Sequence, residues 1–137
     1  MNADDSTIHY STNSTITAEQ LADLFNRSGI RRPTGDLDRI NRMIRHANLM
    51  ITAWKGDVLV GVARSLTDFS FCCYLSDLAV DRSCQKEGIG RELVRLTKEA
   101  IGEESMLLLL SAPDAMAYYP KIGMEAVQNG WIIRRAF

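Results

Sequence analysis

The sequence predicts an α/β (α+β) domain: a mixed, largely antiparallel sheet of six to seven strands flanked by about four helices. Three observations lead there. Apolar residues recur at three- and four-residue steps in the first third, at Leu21, Leu24 and Phe25 and again at Leu37, Ile40, Ile44 and Ala47. Short strand-like runs crowd residues 49–80. Further on, Met106 to Leu110 is apolar on both faces, as a parallel strand covered on two sides requires, so the sheet is mixed.

Taken in order, the first helix opens at Thr17-Ala18-Glu19-Gln20, a capping-box pattern in which threonine and glutamine side chains satisfy amides at the helix start. Gly29 ends it, and Gly29 to Gly35, with Arg31, Arg32 and Pro33, reads as a basic loop. Asp36 caps the second helix. Leu49 to Trp54 and Val58 to Ser65 form a hairpin about the turn Lys55-Gly56-Asp57, and Phe71 to Val80 is long enough for a central strand. A helix begins at Gly88 or Ile89 and ends near Gly102. Asp114 can cap a short helix through Tyr119, which Pro120 restricts. Met124 to Val127 and Trp131 to Arg135 flank an Asn129-Gly130 turn and predict a closing hairpin. With short loops and no repeat, residues 1–137 read as one domain.

Composition narrows the function classes. A net charge of -1 supplies no broad field for nucleic acid or anionic membrane, so an anionic ligand must be held locally. The longest wholly apolar run falls far short of the roughly 20 residues a membrane helix needs, and the polar start Met1 to Asp5 lacks a signal peptide's pattern, so a cytoplasmic protein is expected. Cys72, Cys73 and Cys84 have no metal spacing; the first two read as small apolar strand residues, and Cys84 lies beside a glycine loop. His9 and His46 belong to no ligand set, and no metal is predicted.

The anion site is placed at Gln85-Lys86-Glu87-Gly88-Ile89-Gly90. A strand feeding a short glycine loop that opens a helix leaves first-turn amides free for phosphate, and the helix dipole adds attraction. Lys86 and Arg91 are near enough in sequence to neutralise charge. A P-loop is excluded because no Lys-Ser or Lys-Thr follows glycines at its spacing. A dinucleotide fingerprint is weakened by Leu93 where a third small residue belongs.

Tyr74-Leu75-Ser76-Asp77-Leu78-Ala79-Val80, followed by Gln85-x-x-Gly88-x-Gly90 and a helix, resembles the acetyl-CoA motif of GNAT N-acetyltransferases. Downstream, Ala117-Tyr118-Tyr119-Pro120-Lys121-Ile122-Gly123-Met124 is similar to the family's Phe-Tyr-x-Lys-x-Gly-Phe segment. The resemblance covers roughly residues 49–128. It implies a splayed central strand pair with pantetheine in the gap, pairing with backbone at Leu78, Ala79 and Val80, and pyrophosphate on the amides of Gln85 to Arg91. Acetyl-CoA is then the co-substrate and a small amine or peptide amine the acceptor. Tyr119 matches the tyrosine that donates to the departing thiolate, with Tyr118 as the neighbouring alternative.

Asp77 is the candidate base, although strand alternation also allows it a plain structural role. Arg31 and Arg32 are candidates to recognise an acceptor carboxylate. Trp54 and Trp131 supply core or interface area. An acyl-CoA-binding sensor of the same fold, or an interaction module, is compatible with the loop as well. The alternating apolar segment from Trp131 to Phe137 could build a homodimer.

Overall fold

The computed structural model describes residues 7–137; the polar start Met1 to Asp5 lies outside the described residues. Five strands form one sheet in the order β1-β2-β3-β4-β5: β1 (Ile8–Ser11), β2 (Leu49–Lys55), β3 (Val58–Thr67), β4 (Cys72–Val80) and β5 (Met106–Leu108). β1 to β4 pair antiparallel, and β5 runs parallel to β4. Helices α1 (Ala18–Ser28) and α2 (Leu37–His46) precede β2, α3 (Ile89–Ile101) links β4 to β5, and α4 (Tyr118–Lys121) is a single turn.

The predicted start signals act as expected. Thr17 Oγ1 accepts from the Gln20 amide at 3.0 Å while Gln20 Oε1 accepts from the Thr17 amide at 2.9 Å. Asp36 accepts from the Arg39 amide at 3.1 Å to open α2.

Strand alternation sorts the core into two layers. On one face, Leu21, Leu24, Phe25 and Ile40 of α1 and α2 pack with Leu59, Val62 and Ala79. On the other, Ile89 and Leu93 of α3 pack with Ile51, Ala53, Val60, Ala63 and Leu75. Gly61 lets α3 approach, because a Cβ there would lie 3.0 Å from Ile89 Cγ2 and 3.1 Å from Leu93 Cδ1. Among the described residues no helix is long and apolar enough to cross a membrane.

Four expectations are corrected. The sheet has five strands rather than six to seven. The closing hairpin is absent: residues 124–137 carry no strand pairing, and Trp131, Ile132, Ile133 and Phe137 are exposed. Two strands alone are marginal in water without a sheet edge to join, and this segment pairs with none of the described strands. Asp114 caps nothing; Pro113–Ala115 is a 3₁₀ turn and α4 begins only at Tyr118, running through Pro120 near its N-terminus, where a missing amide hydrogen is tolerated. Cys72 is exposed, whereas Cys73 and Cys84 are buried. β1 went unpredicted because Ile8-His9-Tyr10-Ser11, although it alternates apolar and polar residues, spans only four positions.

Candidate functional site

β4 is longer than β5, its parallel neighbour. Its parallel pairing with β5 covers Cys72 to Tyr74, matched to Met106 to Leu108. From Leu75 to Val80 the same edge has no strand partner, while the opposite edge stays paired to β3. A backbone edge without a strand must find other hydrogen-bonding partners. This open edge runs toward the glycine loop.

Asp81 shapes the turn that follows. Its Oδ1 accepts from the Ser83 amide and hydroxyl at 2.9 Å each, while Oδ2 pairs with Arg27 of α1. Gln85 Nε2 donates to the Val80 carbonyl at 3.1 Å, folding the loop back on the end of β4. Lys86 (φ 74) and Gly88 (φ 82) both take the left-handed conformation, which costs a residue with a Cβ about 1–2 kcal/mol and glycine very little. Gly88 is the N-cap of α3 and no side chain caps this helix, so the amides of Ile89, Gly90 and Arg91 open a helix start without a side-chain acceptor. A Cβ built on Gly88 meets nothing within 4 Å: the space before the loop is open. Free amides, positive dipole and open space fit a pyrophosphate.

Two charged side chains around the loop have partners of their own. Glu87 turns away to Lys55 at 4.0 Å, and Arg91 Nη2 donates to the Lys121 carbonyl at 2.8 Å. Lys86 is exposed. The Arg91 bond nevertheless ties α4 to the start of α3. Tyr118 adds a second contact: its hydroxyl lies 2.6 Å from where a Cβ on Gly90 would be.

The two tyrosines meet edge-on, with ring centroids 5.2 Å apart. Burial raises the pKa of both phenols; nearby Arg91 partly opposes this for Tyr118, and Tyr118 adds to it for Tyr119. Both are therefore protonated donors at neutral pH. Tyr119 is half-buried, and Tyr118 sits at the start of α3.

Asp77 is placed differently from a free base. It is wholly buried on the α1–α2 side; Oδ1 accepts from Arg32 Nε and Oδ2 from Arg64 Nε. Arg32 also donates to the Ser76 carbonyl at 2.9 Å, and Arg64 to the Met43 carbonyl at 3.2 Å and Ser76 Oγ at 3.1 Å. Each carboxylate oxygen already faces a guanidinium. Arg32 is thus occupied as well, while Arg31 remains exposed on the loop. Arg64 was missed, although a lone arginine in the apolar run Val58 to Ser65 opposite a lone aspartate in β4 is a legible signal.

Among the described residues no group of three or more His, Cys, Asp or Glu could hold a metal ion.

Residues 17–124 match the model of the acetyltransferase (GNAT) family. No curated protein sequence is significantly similar to the chain. Among solved structures, a GNAT-family acetyltransferase from Streptococcus pneumoniae is 21% identical, with a TM-score of 0.75 over 94% of this chain and 100% of its own. An aminoglycoside N-acetyltransferase solved with CoA is 12% identical at TM-score 0.73, covering 100% of both chains. An aminoglycoside acetyltransferase from an uncultured soil sample, solved with sisomicin, is 18% identical at TM-score 0.63, over 96% of this chain and 95% of its own. At these identities the likeness is one of fold.

Proposed function

The chain belongs to the acetyltransferase (GNAT) family, and from that premise we propose that it transfers acetyl from acetyl-CoA to a primary amine by direct attack on the thioester. One observation carries the reading: the unpaired edge of β4 from Leu75 to Val80 leads into the uncapped start of α3. Pantetheine is an extended amide chain, and the missing strand's place beside Leu78, Ala79 and Val80 suits it. The amides of Gln85 to Arg91, chiefly those of Ile89 to Arg91, then receive the pyrophosphate.

Acetyl-CoA supplies an activated carbonyl; the chain's residues orient it and manage protons. A lysine-like amine with pKa about 10.4 is neutral in roughly one molecule in 2,500 at pH 7, so the ammonium proton must leave before attack. With both Asp77 oxygens engaged, solvent water takes that proton in this reading. Tyr119, kept protonated by its burial, donates a hydrogen bond to the departing thiolate. Complete transfer from a phenol of pKa ~10 to a thiol of pKa ~8.5 is uphill by about 2 kcal/mol, so donation suffices and transfer is not required.

The test is release of CoA thiol across amines, polyamines, amino acids, peptides and aminoglycosides, the last because two similar folds act on them. Release that depends on one amine class supports transfer. The engaged state of Asp77 favours one second reading, an acyl-CoA sensor. Tight acetyl-CoA binding without amine-dependent thiol release in any class assigns that reading instead.

A further inference from the structure

The buried ion cluster beside the open edge of β4 is unbalanced in charge. Asp77 alone faces two guanidiniums, those of Arg32 and Arg64. The side chains of Asp77 and Arg64 are 0% and 9% exposed, so the excess positive charge reaches solvent through Arg32, exposed at 27%. Ser76 sets where that is. Arg64 pairs with Asp77 and Ser65 with Leu75, which leaves Ser76 no partner on β3, and the pairing to β5 ends at Tyr74. The Ser76 carbonyl accepts from Arg32 instead. Pantetheine lying beside Val80, Ala79 and Leu78, with its phosphates at α3, directs its thioester end toward Ser76 and so toward Arg32.

Arg32 keeps donors to spare. A guanidinium carries five N–H groups. Arg32 uses Nε on Asp77, Nη1 on the Arg31 carbonyl at 2.6 Å and Nη2 on the Ser76 carbonyl at 2.9 Å. One N–H remains on each terminal nitrogen, a fork that matches the two oxygens of a carboxylate. The bonds already made hold the side chain, so little further freedom is lost when the fork is filled. A second cation stands at the start of the same loop. Gly29 ends α1 with φ 84, and a Cβ there would lie 2.9 Å from Cζ of Arg82, so this guanidinium covers the glycine. Arg82 makes no hydrogen bond or ion pair among the described residues, and its neighbour Asp81 is taken by Arg27 and Ser83. Arg31 is exposed on the loop between them.

We propose that the acceptor is a small amine that also carries a carboxylate, the class to which amino acids belong. The two free N–H groups of Arg32 receive the carboxylate, and Arg82 and Arg31 add attraction from the loop around it. The amine then faces the thioester end of pantetheine, so this inference rests on the acetyl-transfer reading above. The same excess of positive charge repels a polycation. Polyamines and aminoglycosides are therefore poor acceptors for this chain, although aminoglycoside acetyltransferases share its fold.

CoA thiol release at saturating acetyl-CoA, measured for the common amino acids and their carboxamides and for spermidine and sisomicin, tests the preference. Calorimetry of the same compounds on CoA-saturated protein tests binding apart from turnover. One amino acid or more is expected to exceed its own carboxamide about tenfold in kcat/KM, and to exceed both polycations. Arg82→Gln should raise KM for that amino acid about threefold or more, while acetyl-CoA affinity stays within about twofold. Arg32→Lys keeps the charge and loses the fork, so it should raise the same KM about tenfold and leave the carboxamide's KM unchanged. If Arg32→Lys does not fold, the wild-type comparison and Arg82→Gln decide. Equal rates for acids and amides, a preferred polycation, or an Arg82→Gln loss confined to acetyl-CoA affinity overturns this inference and leaves acetyl transfer standing. Amino acid binding without thiol release upholds the carboxylate site and counts against transfer alone; absence of acetyl-CoA binding overturns both.

Discussion

Arg64 and Asp77 are cross-strand partners on β3 and β4, and they form an ion pair whose carboxylate is wholly buried. Arg32 brings the loop between α1 and α2 to the same carboxylate. Because Ser76, which also bonds both arginines, starts the unpaired stretch's polar part, this network fixes the N-terminal loop against the open edge of β4.

Removing the carboxylate leaves two guanidiniums without their shared counter-ion. Breaking a buried pair costs about 3–5 kcal/mol, so Asp77→Ala should lower unfolding stability by that order in urea titrations. Asp77→Asn should also be destabilised, yet its folded fraction should keep kcat within a few-fold of wild type. A fully folded Asp77→Asn protein that loses turnover by orders of magnitude would return Asp77 to the role of base.

Gly90 and Tyr118 should behave as a coupled pair. A Cβ on Gly90 meets the Tyr118 hydroxyl at 2.6 Å but the ring carbon beneath it only at 3.4 Å. Gly90→Ala should therefore cost about 1–3 kcal/mol of stability as overpacking, and much less in a Tyr118→Phe background. A double-mutant cycle by denaturant unfolding measures the coupling; additive effects would mean that the two residues do not touch.

Tyr119→Phe should reduce kcat, by an order of magnitude or more, with little change in acetyl-CoA affinity, because it removes a donor used as the thiolate departs. The raised pKa of Tyr119 keeps the phenol protonated well past neutrality. The pH profile of kcat/KM should accordingly rise with amine deprotonation toward about 10.4, without a lower break from a carboxylate base. Stopped-assay rates across pH check both statements.

An acid-sensitive element lies apart from the site. Asp68 Oδ1 accepts from the amides of Ser70, Phe71 and Cys72 at 2.9, 2.8 and 3.0 Å. Those bonds, that from Cys72 foremost, hold its carboxyl pKa at about 2, against an ordinary 3.8. A depressed folded-state pKa stabilises the fold above the unfolded value, and the contribution is lost as pH falls from 3.8 to about 2. Wild type should therefore exceed Asp68→Asn in urea midpoint at neutral pH, and the gap should close on acidification. A gap independent of pH would contradict this.

The elements legible in the sequence carry their own signals. Thr17 and Gln20 cap α1 through local geometry, and the spacing of Gly88 and Gly90 marks a helix start whose physics is backbone alone. What was not legible depends on distant partners. Asp77 reads the same whether it faces substrate or two arginines, and the outcome is set by Arg32 and Arg64, far along the chain. Trp131 to Phe137 alternates as a strand does, but alternation cannot say which edge the strand joins, and the chain's own sheet does not take it. The contact of the Tyr118 hydroxyl with Gly90 depends likewise on how α4 lies against α3.

In the function proposed above, the open edge of β4 and the start of α3 together hold acetyl-CoA. Calorimetric titration of wild type and Gly88→Val with acetyl-CoA tests it most directly. The φ of 82° at Gly88 excludes valine without strain, and the added side chain enters the open space before the loop. Wild type should bind saturably and one-to-one, and a folded Gly88→Val protein at least tenfold more weakly. Absence of binding to wild type, or equal affinity in the folded variant, would contradict it.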